Sequence, residues 1–267
     1  MKPFVHFILT RFNVLMKDAP AAAEGAPRKG LDPEWLKRRF DLFERVCLPS
    51  VDHQTEGAFQ WLVFLDWATP VPFKERMAAL SVHNDFLRPV YCSQFDEETV
   101  LAEIRRREDP GLVRLTTSLD NDDVLHPRLI ESVQEFARAR LDKMDLQRGF
   151  FVSFPVGCTE RRGDFYIRHE PYNSFVSFVS AQDCAQTVMV AEHEKIAAVA
   201  PVLRRYARPL WCQVVHEDNA AAAMRGIYWP WGGNSEFAPA VTNGFRRPVA
   251  WQCAEILRSA ARYCTGR

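Results

Sequence analysis

The chain has 267 residues, 47% of them hydrophobic and 12% aromatic, the make-up of a globular protein rather than a disordered one. Its 34 basic and 34 acidic side chains cancel, which gives no electrostatic reason for capture of nucleic acid or of an anionic membrane. Seven cysteines without a C-x-x-C pair, no recognisable signal peptide and no apolar run of the roughly 18–20 residues that spans a bilayer lead us to expect a reduced, cytoplasmic protein without a transmembrane segment.

In chain order, FVHFILTRFNV (4–14) has the short, apolar, β-branched and aromatic character of a strand. The Ala/Pro/Gly-rich stretch 17–30 reads as a mobile loop, expected to close over a ligand. Asp32 and Pro33 supply cap and first-turn signals for a helix over 34–47, with Trp35, Leu36, Phe40, Phe43, Val46 and Cys47 on one face. FQWLVFLD (59–66) is a nearly continuous apolar run, as a strand buried on both faces requires. A helix opened by Pro72, a strand at 88–94, a helix at 97–108 and a strand at 112–120 follow. This alternation predicts a mostly parallel sheet with helices packed on it.

Beyond it we expect a helix over roughly 127–143, an alternating and therefore antiparallel middle section from 149 to 180, and a helix over 194–207. A strand at 209–217, an aromatic loop IYWPWGGN and a terminal helix over 249–263 complete the chain. No internal repeat or linker is visible, so a single domain over 1–267 is expected.

TTSLDNDDVLHP (116–127) crowds Asp120, Asp122 and Asp123 at the end of a strand. Ligands of open α/β sheets bind outside the carboxyl ends of the strands, where Asp66 and Arg11 also fall. Mutual repulsion calls for a compensating cation. Magnesium or manganese takes one or two carboxylates and fills its other positions with water and phosphate oxygens. A plain acidic turn capping the next helix is the competing account. A calcium loop is excluded by Val124 and Leu125, which stand where a ligand and the glycine belong. DNDDV also fits the D-x-D-x-V of haloacid-dehalogenase-like, magnesium-dependent phosphatases, with Asp120 as nucleophile, but about three β-α units precede it where that fold wants the first strand.

Taken together, TRFNV, DPEWLKRRFDLFERVCLPSVDHQT, FQWLVFLDWATP, TTSLDNDDVLH, HEPYNS and LWCQVVHEDN resemble GT-A-type glycosyltransferases, and specifically the bacterial rhamnosyl transferase family. Ser118 departs from the arginine usual in that family. The resemblance implies a GT-A-like (Rossmann-like) α/β fold, mostly parallel, with an antiparallel extension. Its nucleotide-binding half would be about 1–123 and its acceptor-side half about 124–267.

The implied activity is metal-dependent, inverting transfer of a sugar such as rhamnose from a dTDP-, UDP- or GDP-sugar to a glycan or lipid-linked acceptor. A catalytically idle sugar-binding domain is a third reading. A manganese or magnesium ion would sit on Asp122, Asp120 and His216, with the Asp122 carboxylate facing a solvent-filled cleft. Asp66 would contact the nucleoside, and Arg11 and Arg76 the base or diphosphate. Asp123 would touch the acceptor or support the metal ligands. The acceptor side would hold His169, Asn173–Ser174, Trp229 and Trp231, the last two as stacking surfaces. The base is implied at the head of a helix before the histidine-bearing strand, at Glu194, Glu192 or His193 in that order of preference, with Asp123 and Glu170 next.

Overall fold

The computed structural model describes residues 4–17, 28–217, 225–232, 236–237 and 247–265. Most of the expected lid, residues 18–27, lies outside them.

Four strands, β1 (Phe4–Arg11), β2 (Gln60–Asp66), β3 (Leu87–Cys92) and β4 (Val113–Ser118), pair in parallel in the order β3-β2-β1-β4. The sheet continues through β9 (Ser177–Ser180), antiparallel to β4, then β6 (Phe150–Ser153) and β10 (Val202–Arg204). Six of its seven strands therefore share one direction, as the alternating pattern predicts. Along β1, Phe4 and Ile8 face one core cluster while Val5, Phe7 and Leu9 face the other, the period-2 signature of a strand covered on both sides.

Helix α1 (Pro33–Leu42) starts as expected, Asp32 Oδ1 accepting from Trp35 N at 2.7 Å. It does not run on regularly. Phe43–Cys47 forms a π-turn that leads into α2 (Leu48–Asp52). Helices α1, α3 (Val71–His83) and α5 (Leu129–Arg138) put Leu36, Phe40, Met77, Ile130 and Val133 on one face of the sheet. α4 (Glu97–Arg105) covers the other with Val100 and Ile104.

A second sheet holds β5 (Val124–Leu125), β7 (Val156–Arg161), β8 (Asp164–His169), β11 (Trp211–Val214) and β12 (Ile227–Tyr228), in the order β12-β8-β7-β11-β5. The middle section is therefore divided between two sheets. β7 and β8 form the expected hairpin, whereas FFVS and SFVS join the large sheet. Gly157 lets Trp211 lie flat on β7, since a Cβ there would stand 2.1 Å from the indole.

The helix expected over 194–207 shrinks to α6 (Ile196–Val199). Pro201 cannot continue it, and 202–204 extend as β10 beside β6. The terminal helix is α7 (Val249–Thr265). Among the described residues no helix is long and apolar enough to cross a membrane, and the seven cysteines are free thiols.

Candidate active site

The acidic run spans the seam between the two sheets. β4 ends at Ser118, and the next residues are stitched to the end of β1. Leu119 N donates to Leu9 O at 3.1 Å, Thr10 Oγ1 to Leu119 O at 2.7 Å, and Asn121 Nδ2 to Phe12 O at 2.9 Å. The chain then enters β5, which pairs with β11. Asp123 fastens that pairing, its Oδ1 accepting from Val214 N at 2.9 Å. His216, two residues further on, is thereby carried to the cluster. Below, Cys47 at the end of the π-turn donates its thiol to Asp120 O at 3.5 Å.

The compensating cation inside the protein is Arg39. Its Nη1 donates to Asp122 Oδ2 at 2.5 Å and to Asn121 Oδ1 at 3.3 Å, while its guanidinium lies 5.3 Å from the Trp35 ring. His216 Nε2 donates to the same Asp122 oxygen at 2.7 Å. Asp122 was expected to face open solvent. Instead its side chain is only 8% exposed, because Arg39 and His216 close over it. Burial works against its charge, but the His216 hydrogen bond and the Arg39 guanidinium outweigh it and hold the carboxyl below its ordinary range.

Asp120 is exposed to solvent on its open side, while protein packed around the rest of it limits its hydration. That enclosure first, and Asp122 second, raise its carboxyl, against the pull of Arg11, Arg39 and His193. Asp123 is buried, and burial followed by the charges of Asp122 and Asp120 pushes it well up. Its visible role is structural: it fastens β5 to β11 through Val214 N.

A second cluster sits where β1 and β2 end. Asp66 is buried, its Oδ1 accepting from Ala68 N at 2.7 Å and its Oδ2 paired with Arg28. Asn13 organises this corner. Its Oδ1 accepts from Asp66 N at 3.1 Å, and its Nδ2 reaches Gly30 O and Thr69 Oγ1, both at 2.9 Å. Trp67, next in the chain, is 62% exposed.

Arg11 lies at the rim, within electrostatic reach of Asp120. Arg76 does not join it. It binds Glu44 at 2.5 Å and Asp41 at 2.7 Å, tying α3 to α1 and the π-turn away from the cluster.

At the junction before α6, His193 is half-buried and within electrostatic reach of Asp120. Glu192 and Glu194 are exposed, and Glu192 is paired with Lys195 at 2.6 Å. Of the three, His193 is the one within electrostatic reach of Asp120, whereas the Glu194 and Glu192 side chains face solvent.

Among the acceptor-side candidates, Asn173 is buried and spends its amide on the turn. Its Nδ2 donates to Ser153 Oγ, Phe154 O and Glu170 O, and its Oδ1 accepts from Phe175 N. His169 stacks on Tyr206 at 5.8 Å. Trp229 packs edge-on against Phe165 at 6.4 Å, whereas Trp231 is 68% exposed and presents a ring to solvent.

Sequence reasoning missed Arg39, Arg28, Asn13 and Asn121. Arg39 stands 83 residues from Asp122, and in WLKRRF it reads as an ordinary polar residue beside a buried face.

The donors that could hold a divalent ion are Asp122 and His216, with Asp120 on the open side. A carboxylate and an imidazole converging on one point suit manganese or magnesium when phosphate oxygens and water complete the shell. His216 cannot give Nε2 to a metal while donating through it, so metal binding would replace its contact with Asp122. Among the described residues no three His, Cys, Asp or Glu side chains form a ready-made cage.

The profile of the family described as "Putative rhamnosyl transferase" matches residues 6–227. The chain belongs to that family. No curated protein matches it significantly. Among solved structures, it is similar to S. aureus TarS 1–349, at 7% identity and a TM-score of 0.44 over 79% of this chain and 60% of that one. The same protein in complex with UDP-GlcNAc matches at 11% and 0.47, covering 84% and 62%. A nucleotide-diphospho-sugar transferase, so described as putative, from Desulfovibrio desulfuricans G20 matches at 10% and 0.37, covering 81% and 83%. The chain spans about three fifths of the TarS chains it matches. Within the molecule, DNDDV closes the fourth strand and its Asp122 is engaged by Arg39, and no observation favours the phosphatase alternative.

Proposed function

We propose that the chain is a glycosyltransferase that takes a sugar from a nucleotide diphosphate and passes it, with inversion, to a hydroxyl of a glycan or lipid-linked acceptor. The observation that carries this reading is the joint position of two clusters, Asp122–Arg39–His216 and Asp66–Arg28–Asn13. Both lie at the carboxyl edge of the same parallel strands, where open α/β sheets take their ligands. Membership of the family suggests rhamnose as the sugar.

Asp66 and the exposed ring of Trp67 would receive the nucleoside, one by hydrogen bonding and the other by stacking. The diphosphate would lie between that corner and the acidic run, with Arg11 offering its guanidinium fork to phosphate oxygens. Asp122, His216 and Asp120 would hold manganese or magnesium. When bound, the ion would supply Lewis-acid stabilisation of the charge that builds on the departing diphosphate. His193 would take the acceptor hydroxyl proton on an imidazole nitrogen as the new bond to the anomeric carbon forms. The imidazolium so produced would be steadied by the nearby Asp120 carboxylate.

A panel of dTDP-, UDP- and GDP-sugars with manganese tests this reading by thermal shift and by donor consumption with added acceptors. One nucleotide should stabilise the protein above the others. No stabilisation by any of them, together with phosphate release from simple phosphoesters, would overturn the proposal.

A further inference from the structure

Away from the acidic run, the β7–β8 hairpin, α7 and the residue Arg247 just before it form an open cavity of about 310 Å³ lined by Arg161, Arg162, Asp164, Tyr166, Arg247 and Arg262. Four guanidinium groups thus surround one lining carboxylate. Arg247 holds Asp164 through two nitrogens, at 2.8 and 3.1 Å, and Arg262 reaches back along α7 to Glu255 at 2.6 Å. Arg161 and Arg162 add two more positive charges at the mouth, where both are exposed. Arg162 stands 3.9 Å from Glu217, itself 96% exposed, so water screens the pair.

The backbone at the mouth gives a second, independent observation. Arg162 and Gly163 are the two central residues of the hairpin turn, with φ of +54° and +85°. Turns that need positive φ at both positions favour Asn-Gly, and a long β-carbon-bearing side chain at the first position is strained. Arg162 is the one described non-glycine residue in the left-handed region, and it points its charge at the cavity's entrance. An asparagine would suit the turn better. The arginine instead brings a guanidinium to the cavity lining.

Strand β7 connects the cavity to the strand that leads to His216. Glu160 pairs with Val214 and its carbonyl accepts from Val215 N at 2.8 Å, which sets Arg161 alongside the strand end that delivers His216. We infer that this pocket binds a phosphate-class anion carried by the acceptor, holding it in guanidinium forks while the hydroxyl to be glycosylated reaches the cleft. The acceptor assignment rests on the glycosyltransferase reading above; the anion site itself does not.

Titration with inorganic phosphate at constant ionic strength, followed by NMR shifts or calorimetry, tests it without turnover. Wild type and Asp122→Asn should bind phosphate alike, and Arg161→Gln and Arg162→Asn should each lose about tenfold in affinity, the worth of a charge-assisted hydrogen bond. Arg162→Asn should also melt at a higher temperature, because relief of turn strain and loss of the ligand move opposite ways. UDP, dTDP and GDP should bind the two arginine variants as they bind wild type. Phosphate that fails to bind wild type, or binds all four proteins equally, would overturn the site. Nucleotide binding lost together with phosphate binding would overturn its assignment to the acceptor. Absence of nucleotide binding in every protein, with the phosphate pattern intact, would instead count against the donor reading alone.

Discussion

Arg39 and His216 meet at one oxygen of Asp122, at 2.5 and 2.7 Å, from elements 177 residues apart in the chain. The protein therefore carries its own counter-cation at the position where a divalent ion would be expected. Arg39→Gln should remove the guanidinium from the crowded carboxylates and leave Asp122 with only His216 of these two partners. We expect the metal-free protein to lose about 3 kcal/mol, the cost of breaking a buried pair. Manganese should then raise its melting temperature more than it raises that of wild type. An equal manganese shift in both proteins would show that Arg39 and the ion do not compete.

Asp122→Asn tests the same contact from the other side. The side chain is buried between a guanidinium and an imidazole, so its neutralisation should destabilise by about 3 kcal/mol at pH 7 as well as weaken nucleotide binding with metal. Its carboxyl is held below the ordinary value of 3.8, so its contribution is fully present above about pH 4 and fades as the pH falls through the lowered value. Urea melts should therefore show a gap between wild type and variant at pH 7 that narrows below pH 4. A constant gap would mean that charge is not what Asp122 contributes.

His193→Asn should reduce sugar transfer by about 10²–10⁴-fold, the usual worth of a general base, with nucleotide binding intact. Glu192→Gln and Glu194→Gln should transfer at close to the wild-type rate, since both carboxylates stand in solvent. A turnover assay on the three variants decides between them, and a loss confined to Glu194→Gln would return the role to the carboxylate.

Glu160 is buried on β7, and burial, helped by Asp164 and opposed by the Gly163 N–H, raises its carboxyl from 4.5 to about 7. The folded protein thus holds a proton that the unfolded chain releases between those values, and stability should decline as the pH rises through this window. Glu160→Gln keeps an oxygen acceptor for Gly163 N and removes the penalty. It should stabilise the protein at pH 8 by up to about 3 kcal/mol and by little at pH 4.5. Denaturant melts at the two pH values check this, and equal effects at both would show that Glu160 ionises in the folded protein as it does in the unfolded chain.

The sequence by itself determined the elements whose signals are local. Asp32 capping the helix that Pro33 opens, the apolar run 60–66 and the alternation of strands with helices are consequences of propensity and periodicity, and each is present in the fold. It also marked Asp120–Asp123 as a place that needs a cation, because repulsion between neighbouring carboxylates requires no knowledge of the fold.

What sits against those carboxylates was a matter for tertiary structure alone. Arg39 acquires its role from the packing of α1 on the sheet. His216 acquires its own from the β5–β11 pairing that the Asp123–Val214 hydrogen bond fastens. Arg76, its equal in chemistry, is drawn off by Asp41 and Glu44. Pro201 shortened one helix, and the next three residues became a strand because β6 had an open edge to offer. Long-range pairing decides such cases, since a side chain's charge is written in the sequence but its neighbours are set by which faces the core brings together.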